Sequence, residues 1–363
     1  QCSMAQHSSA LKRLSKLTKS SSSASPLLLA QSLFTVFARI ALSSKREPTR
    51  ERSIKLGAKW LAVADAEMFG LVIAAVAASS QVSSQHVRFR SVQLLREVLD
   101  ELPEDSEVLG DPLPPAKVFK GWQYLDVELV SNTWFRSHDC LFSLVSGVMR
   151  ARMSDRHNAV RLQAIAGCAR LHDDHAECDL AADMMHQLTT LMGESDSKEI
   201  RKACIHAITL DSVTMPHLLA RLEDVAADVR CTVFTVMGAK VAPNALPTRY
   251  AARLLKAGLT DRDASVRKAA TKMIQSAWLP ALGRSEVAVM AMLNVERDAD
   301  VAEDLAKYFS TQAKSSASVA RLRPSRDALH AAAAAMQANE GEGEGGIDKL
   351  AEAAFLWRGA VEG

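Results

Sequence analysis

The sequence predicts an all-α fold, a solenoid of stacked helical pairs, and three observations carry that reading. The first is a local pattern in which a branched aliphatic residue, usually followed by arginine, has apolar or small residues four and eight positions on. It stands at Val87-Arg88 with Ser91 and Leu95, Val160-Arg161 with Ala164 and Cys168, Ile200-Arg201 with Cys204 and Ile208, Val229-Arg230 with Val233 and Met237, and Val266-Arg267 with Ala270 and Ile274. Val301 with Leu305 and Phe309 repeats it without the arginine. Between about 155 and 310 the pattern returns at roughly 30 to 40 residues, the period of HEAT-type helical pairs.

The second observation is where the arginine falls. At about 100° per residue, Arg267 lies inside the apolar stripe of Val266, Ala270, Ile274 and Trp278. A charge there needs a partner. An aspartate precedes the arginine in four repeats: Asp155 before Arg161, Asp196 before Arg201, Asp224 before Arg230 and Asp261 before Arg267. Each would sit in the turn between the two helices of a pair, able to cap the second helix and to lie beside a neighbouring repeat's arginine. The arginines therefore read as a structural ladder that ends at Ala302. No aspartate precedes Arg88 at that distance, which leaves Arg88 freer to face a ligand.

Composition is the third. The chain is 48% hydrophobic but only 5% aromatic, which suits a core of aliphatic helices rather than strands. Six cysteines form no CxxC pair, and Cys168, Cys204 and Cys231 fall within the repeats, as free thiols do in a reducing compartment.

The elements divide the chain into five parts. Residues 1–25 are a basic, serine-rich segment, 26–109 the first helical pairs and 139–312 further repeats. Residues 313–363 are a linker, with a Gly/Glu run at Asn339 to Gly346, and the start of another helical domain. Residues 110–138 contain Pro112, Pro114 and Pro115 and read as an irregular insertion, long for a solenoid connection.

Residues 1–60 hold eleven Lys or Arg against only Glu47 and Glu51, so the place to seek a polyanion is this end. A solvated helix face and a targeting peptide are the plainer readings of the same charges. The apolar run from Pro26 to Leu42 is broken by Gln31, Ser32 and Arg39 and is too short to span a bilayer. Catalytic classes find little support. No P-loop, GxSxG or glycine-rich phosphate cradle is present, and no histidine is followed by glutamate, as the iron sites of HEAT-like hydroxylases require. His172-Asp173-Asp174-His175 with Glu177 and Cys178 has metal-ligand residue types but no second cluster in register, so it reads as a solvated loop.

Three stretches carry a family resemblance. The run Lys45-Arg46-Glu47-Pro48-Thr49-Arg50-Glu51-Arg52 continues into Ser-Ile-Lys-Leu-Gly-Ala-Lys-Trp-Leu. The run Val87-Arg88-Phe89-Arg90 is followed by Gln93-Leu94-Leu95 and Leu102-Pro103-Glu104-Asp105. From Met149 to Phe309 a nearly continuous series includes MRARMSDRHNAVRLQAIAGCARL, TMPHLLARLEDVAADVR and GLTDRDASVRKAATKMIQSAW. In order and spacing these resemble the condensin subunit 3 family, also called chromosome-associated protein G. Residues Lys349 to Arg358 resemble the family helix that leads into its C-terminal half, so the chain looks like the N-terminal portion of a longer subunit.

The resemblance implies a subunit with no catalysis and no cofactor, binding the kleisin subunit of condensin and double-stranded DNA without regard to sequence, and SMC ATPases only indirectly. It also implies nuclear, chromosomal localisation. Lys45, Arg46, Arg88 and Arg90 are the phosphate contacts carried over from the first two motifs, and Arg150 and Arg152 join them from the helix entering the next repeat. About seven layers of roughly 10 Å would face about 20 base pairs. The competing reading is a HEAT scaffold that binds only protein, of the transport-receptor or phosphatase-adaptor type.

Overall fold

A computed structural model describes residues 25–42, 48–103, 106–171, 179–294 and 297–315, and within them the fold is all-α. The only bridge of β type among the described residues is an isolated one between Pro112 and Cys140. The chain divides into two compact units, residues 1–209 and 210–363, each built of antiparallel helical pairs.

In the first unit α1 (Pro26–Leu42) and α2 (Pro48–Leu61) precede three pairs, α3 (Ala66–Ser79) with α4 (Gln85–Glu101), α5 (Leu141–Met153) with α6 (Asn158–Leu171), and α7 (Asp179–Glu194) with α8 (Lys198–Ala207). First helices pack on first helices, α1 on α3 and α3 on α5. Second helices do likewise, α2 on α4, α4 on α6 and α6 on α8, so the unit has two layers. In the second unit α9 (Met215–Ala220) precedes α10 (Ala227–Lys240), α11 (Thr248–Leu259) pairs with α12 (Ala264–Met273), and α13 (Glu286–Met290) with α14 (Ala299–Ser315). The six pattern-bearing helices begin within two residues of Val87, Val160, Ile200, Val229, Val266 and Val301, as the periodicity predicts.

Local chemistry sets the helix starts. Pro26 and Pro48 open α1 and α2, where the missing N–H costs nothing. Asp65 and Asp263 cap α3 and α12 by accepting from the N–H groups of Glu67 and Ser265. At Gly258 on α11 the backbone comes so close to α10 and α12 that a Cβ would stand 2.5 Å from Ala270 Cβ and 2.8 Å from the Phe234 ring. Gly258→Ala is therefore expected to destabilise the second unit by about 1–3 kcal/mol through overpacking, read as a lower urea midpoint at unchanged slope.

The inserted segment is ordered and packed. Residues 107–136 contain short helical turns, of which Val127–Ser131 rests on α3. Phe119, Val130 and Phe135 are fully buried, and Trp122 sits 5.1 Å from Phe119 and 5.6 Å from Phe34 of α1, ring centre to ring centre. The reason lies in α3. Every residue from Met68 to Ser79 is buried, and a helix apolar all round must be covered on both sides. The insertion supplies the second cover.

Candidate nucleic-acid interface

The arginine ladder is the clearest constellation, and its register is offset by one repeat from the simplest pairing. Arg88 points its Nε and Nη2 at the carboxylate of Asp155 in the following pair, 2.7 and 3.2 Å away, and its Nη1 donates to the carbonyls of Val82 and Ser83. In the second unit Arg230 does the same with Asp261, at 2.8 and 2.9 Å, while its Nη1 donates to the Asp224 carbonyl. Each arginine thus closes its own turn and grips the next repeat's aspartate. The aspartates in turn accept from backbone N–H groups two residues on, at His157, Ala226 and Asp263.

Three expectations change here. Arg88 is not free for a ligand: it is 4% exposed and its guanidinium is committed to Asp155, because the partner comes from the next repeat and not from the residues before it. Arg161, whose expected partner Asp155 is engaged by Arg88 and Arg152, is half-buried and donates to the Met153 carbonyl and Asn158 instead. Arg267 is exposed, holding the carbonyl of Asp261 at 2.6 Å rather than a carboxylate.

The ladder carboxylates are poised for acid sensitivity. Burial pushes Asp155 and Asp261 up, but hydrogen bonds from Arg88 and Arg230, backbone N–H donors and the nearby positive charges outweigh it, leaving both below the ordinary value. A depressed folded pKa means a contribution fully present above the unfolded value, about 3.9, and lost as pH falls through the folded one. The urea midpoint is expected to drop as pH falls below about 4, and Asp155→Asn to flatten that drop.

The other predicted contacts are dispersed. Lys45 and Arg46 lie outside the described residues, as do His172 to Cys178. Arg90 is 4% exposed, donates to Gln93 Oε1 and lies over the Phe89 ring. Arg152 is half-buried and 3.2 Å from Asp155, with burial lowering its pKa against the pull of that carboxylate. Arg150 is exposed on α5 and pairs with Asp183 of α7 at 2.7 Å. It borders an open groove of about 430 Å³ with Trp134, His138 and His186. Arg150 belongs to the layer of first helices and Arg90 to the other, so the four that lie among the described residues do not form one surface.

What sequence reasoning passed over is the outward face of α2. Arg52, Lys55 and Lys59 are exposed there and fall within about 60° of one another on the helix. Lys59 is 3.6 Å from Glu101, while Arg52 and Lys55 have no acidic partner among the described residues. Ile54, Ala58 and Leu61 bury the opposite side. The signal was legible: these three belong to the basic run already counted, at i, i+3 and i+7 spacing. Such a stripe can hold phosphates by charge, with no base-reading geometry. Among the described residues no group of three or more His, Cys, Asp or Glu is arranged to hold a metal, and no helix is long and apolar enough to cross a membrane.

No family model matches the chain. Curated relatives do: condensin complex subunit 3 of Homo sapiens is 24% identical over 270 residues, 71% of this chain and 23% of the relative. That of Xenopus laevis is 29% identical over 225 residues, 61% of this chain and 18% of the relative. That of Schizosaccharomyces pombe is 32% identical over 176 residues, 47% of this chain and 19% of the relative. Over these stretches the chain is similar to condensin complex subunit 3. It spans about a fifth of the length of these condensin subunits. A crystal structure of the S. pombe condensin Cnd3–Cnd2 subcomplex shares the fold, with a TM-score of 0.67 and 20% identity, covering 100% of this chain and 40% of that one. The likeness is one of fold, an all-α helical-repeat architecture.

Proposed function

We propose that the protein is a non-catalytic condensin subunit that binds the kleisin subunit and, together with it, holds double-stranded DNA through phosphates in chromosome condensation in the nucleus. The SMC ATPases would be reached only through that assembly. The observation that carries the reading is the exposed basic stripe of α2, directly after Lys45 and Arg46, in a chain whose relatives are condensin subunits. The likeness to a subcomplex of two condensin subunits supports the kleisin partner. Lys45, Arg46, Arg52, Lys55 and Lys59 are the contacts proposed, with Arg150 on a separate surface. Arg88 belongs to the ladder.

The test adds a kleisin segment to the chain and follows affinity for a duplex of about 20 base pairs. Kleisin binding that tightens the duplex is the expected result. Kleisin binding with duplex affinity absent at every salt concentration would favour the protein-only scaffold.

A further inference from the structure

The layer of first helices in the first unit carries a groove that the DNA reading does not use. Its floor is Gly147 and Ala151 of α5, one wall is Trp134 and His138 of the inserted segment, and the other is Asp183 and Gln187 of α7. It encloses about 430 Å³. A smaller cavity of about 150 Å³, which reaches Gln81 just beyond α3, adjoins it at Trp134 and Ala151, and these two residues line both. The inserted wall is fixed to the floor. His138 Nδ1 lies 2.9 Å from the Trp134 carbonyl, and the two rings meet edge to face at 4.8 Å. A Cβ at Gly147 would stand 2.3 Å from His138 Nε2, so only glycine lets that ring rest on α5.

Three polar side chains converge on this space with hydrogen-bonding capacity left over. Arg150, at the rim, commits only its Nη1 to Asp183, at 2.7 Å, and its Nε and Nη2 have no acceptor among the described residues. That pair is 46% and 65% exposed, so it is weak and exchangeable. Gln187 donates its Nε2 to Ser154 Oγ, which leaves its carbonyl oxygen to accept. Gln81 Nε2, in the adjoining cavity, is buried with no acceptor among the described residues. A guanidinium edge takes a carboxylate through two parallel hydrogen bonds, and an unpartnered amide donor and acceptor suit the C=O and N–H of an extended backbone. Trp and Arg are also the side chains most often found to carry binding energy between proteins. We propose that the groove binds an extended, acidic peptide segment of a partner protein. Its carboxylate lies on Nε and Nη2 of Arg150, and its backbone runs close over Gly147 and Ala151 between Gln81 and Gln187. One guanidinium beside one carboxylate matches a single acidic side chain and not a run of phosphates. The α2 stripe belongs to the other layer of the same unit, so peptide and duplex do not compete. The inference stands apart from the DNA reading, whose contacts on α2 it does not use.

The test selects a library of random peptides on the whole chain, and again on an Arg150→Glu variant, which stays folded because Arg150 and Asp183 both face solvent. The expected result is a set of peptides recovered only on the unaltered chain, each carrying Asp or Glu and binding the variant at least about tenfold more weakly. Replacing that acid by lysine should abolish binding to the unaltered chain and restore it on Arg150→Glu. Hydrogen exchange with the peptide bound should slow in residues 134–138, α5 and α7 and stay unchanged in α2. A saturating duplex of about 20 base pairs should leave the peptide in place. Failure to recover any peptide that distinguishes the two chains would overturn the proposal. So would recovered peptides with no acid in common, protection confined to other helices, or displacement by the duplex.

Discussion

Asp155→Ala is expected to cost the first unit about 3–5 kcal/mol, the largest effect of any single ladder substitution outside the packed core. The reason is what it leaves behind. The side chains of Arg88 and Asp155 are 5% and 2% exposed, so removing the carboxylate strands a guanidinium where water cannot reach it. The same carboxylate also accepts from Arg152 and from the His157 N–H, so four donors on three residues lose their acceptor at once. Asp183→Ala is the control: its pair with Arg150 is 65% and 46% exposed and is worth about 0–1 kcal/mol. Urea unfolding of the two variants should separate them clearly. Replacing both members of the buried pair, Arg88→Met with Asp155→Leu, should recover most of the loss, because the pair's worth lies in not being broken.

The second large effect falls on binding. Reversing Arg52, Lys55 and Lys59 to glutamate is expected to lower duplex affinity by at least about a hundredfold at roughly 0.1 M salt, with stability changed by less than about 1 kcal/mol. The three are solvent-facing, so their loss leaves no cavity. Reversal both removes counterion release and adds repulsion along the same stripe. Arg88→Gln, by contrast, should act through stability. An affinity loss that matched the loss of folded protein, and nothing more, is its expected signature.

How much of this was legible in the sequence differs by feature. The helices were, because a four-and-eight spacing after a β-branched residue admits only a helical period, and Val87, Val160, Ile200, Val229, Val266 and Val301 all fall within two residues of a helix start. The existence of the ladder was legible only in part: the stripe argument, made on Arg267, holds for Arg88 and Arg230, which are buried and paired, but not for Arg267 itself, which is exposed and holds a carbonyl. Its register was not. Whether Asp155 answers Arg161 or Arg88 depends on the stacking of successive pairs, which spacing along one chain does not contain. Arg88 was misjudged for that reason alone. The insertion looked irregular because Phe119, Trp122, Val130 and Phe135 follow no period; their order comes from the bare face of α3 they cover, a tertiary fact. The basic stripe on α2 could have been found earlier, by asking which charges of the N-terminal run share a helix face instead of which match a family motif. Arg90 shows the cost of the motif route: it lies in the matching run yet is 4% exposed.

The central claim is that the chain holds DNA by its phosphates along a basic helix face. Its most direct test is the log–log salt dependence of duplex binding, measured on two unrelated sequences of about 20 base pairs, with the unaltered chain and the Arg52→Glu, Lys55→Glu, Lys59→Glu variant compared. The account predicts equal affinities for the two sequences, a steep slope for the unaltered chain, and a slope shallower by about three in the variant. Affinity that ignores salt, a strong preference for one sequence, or identical slopes for the two proteins would contradict it.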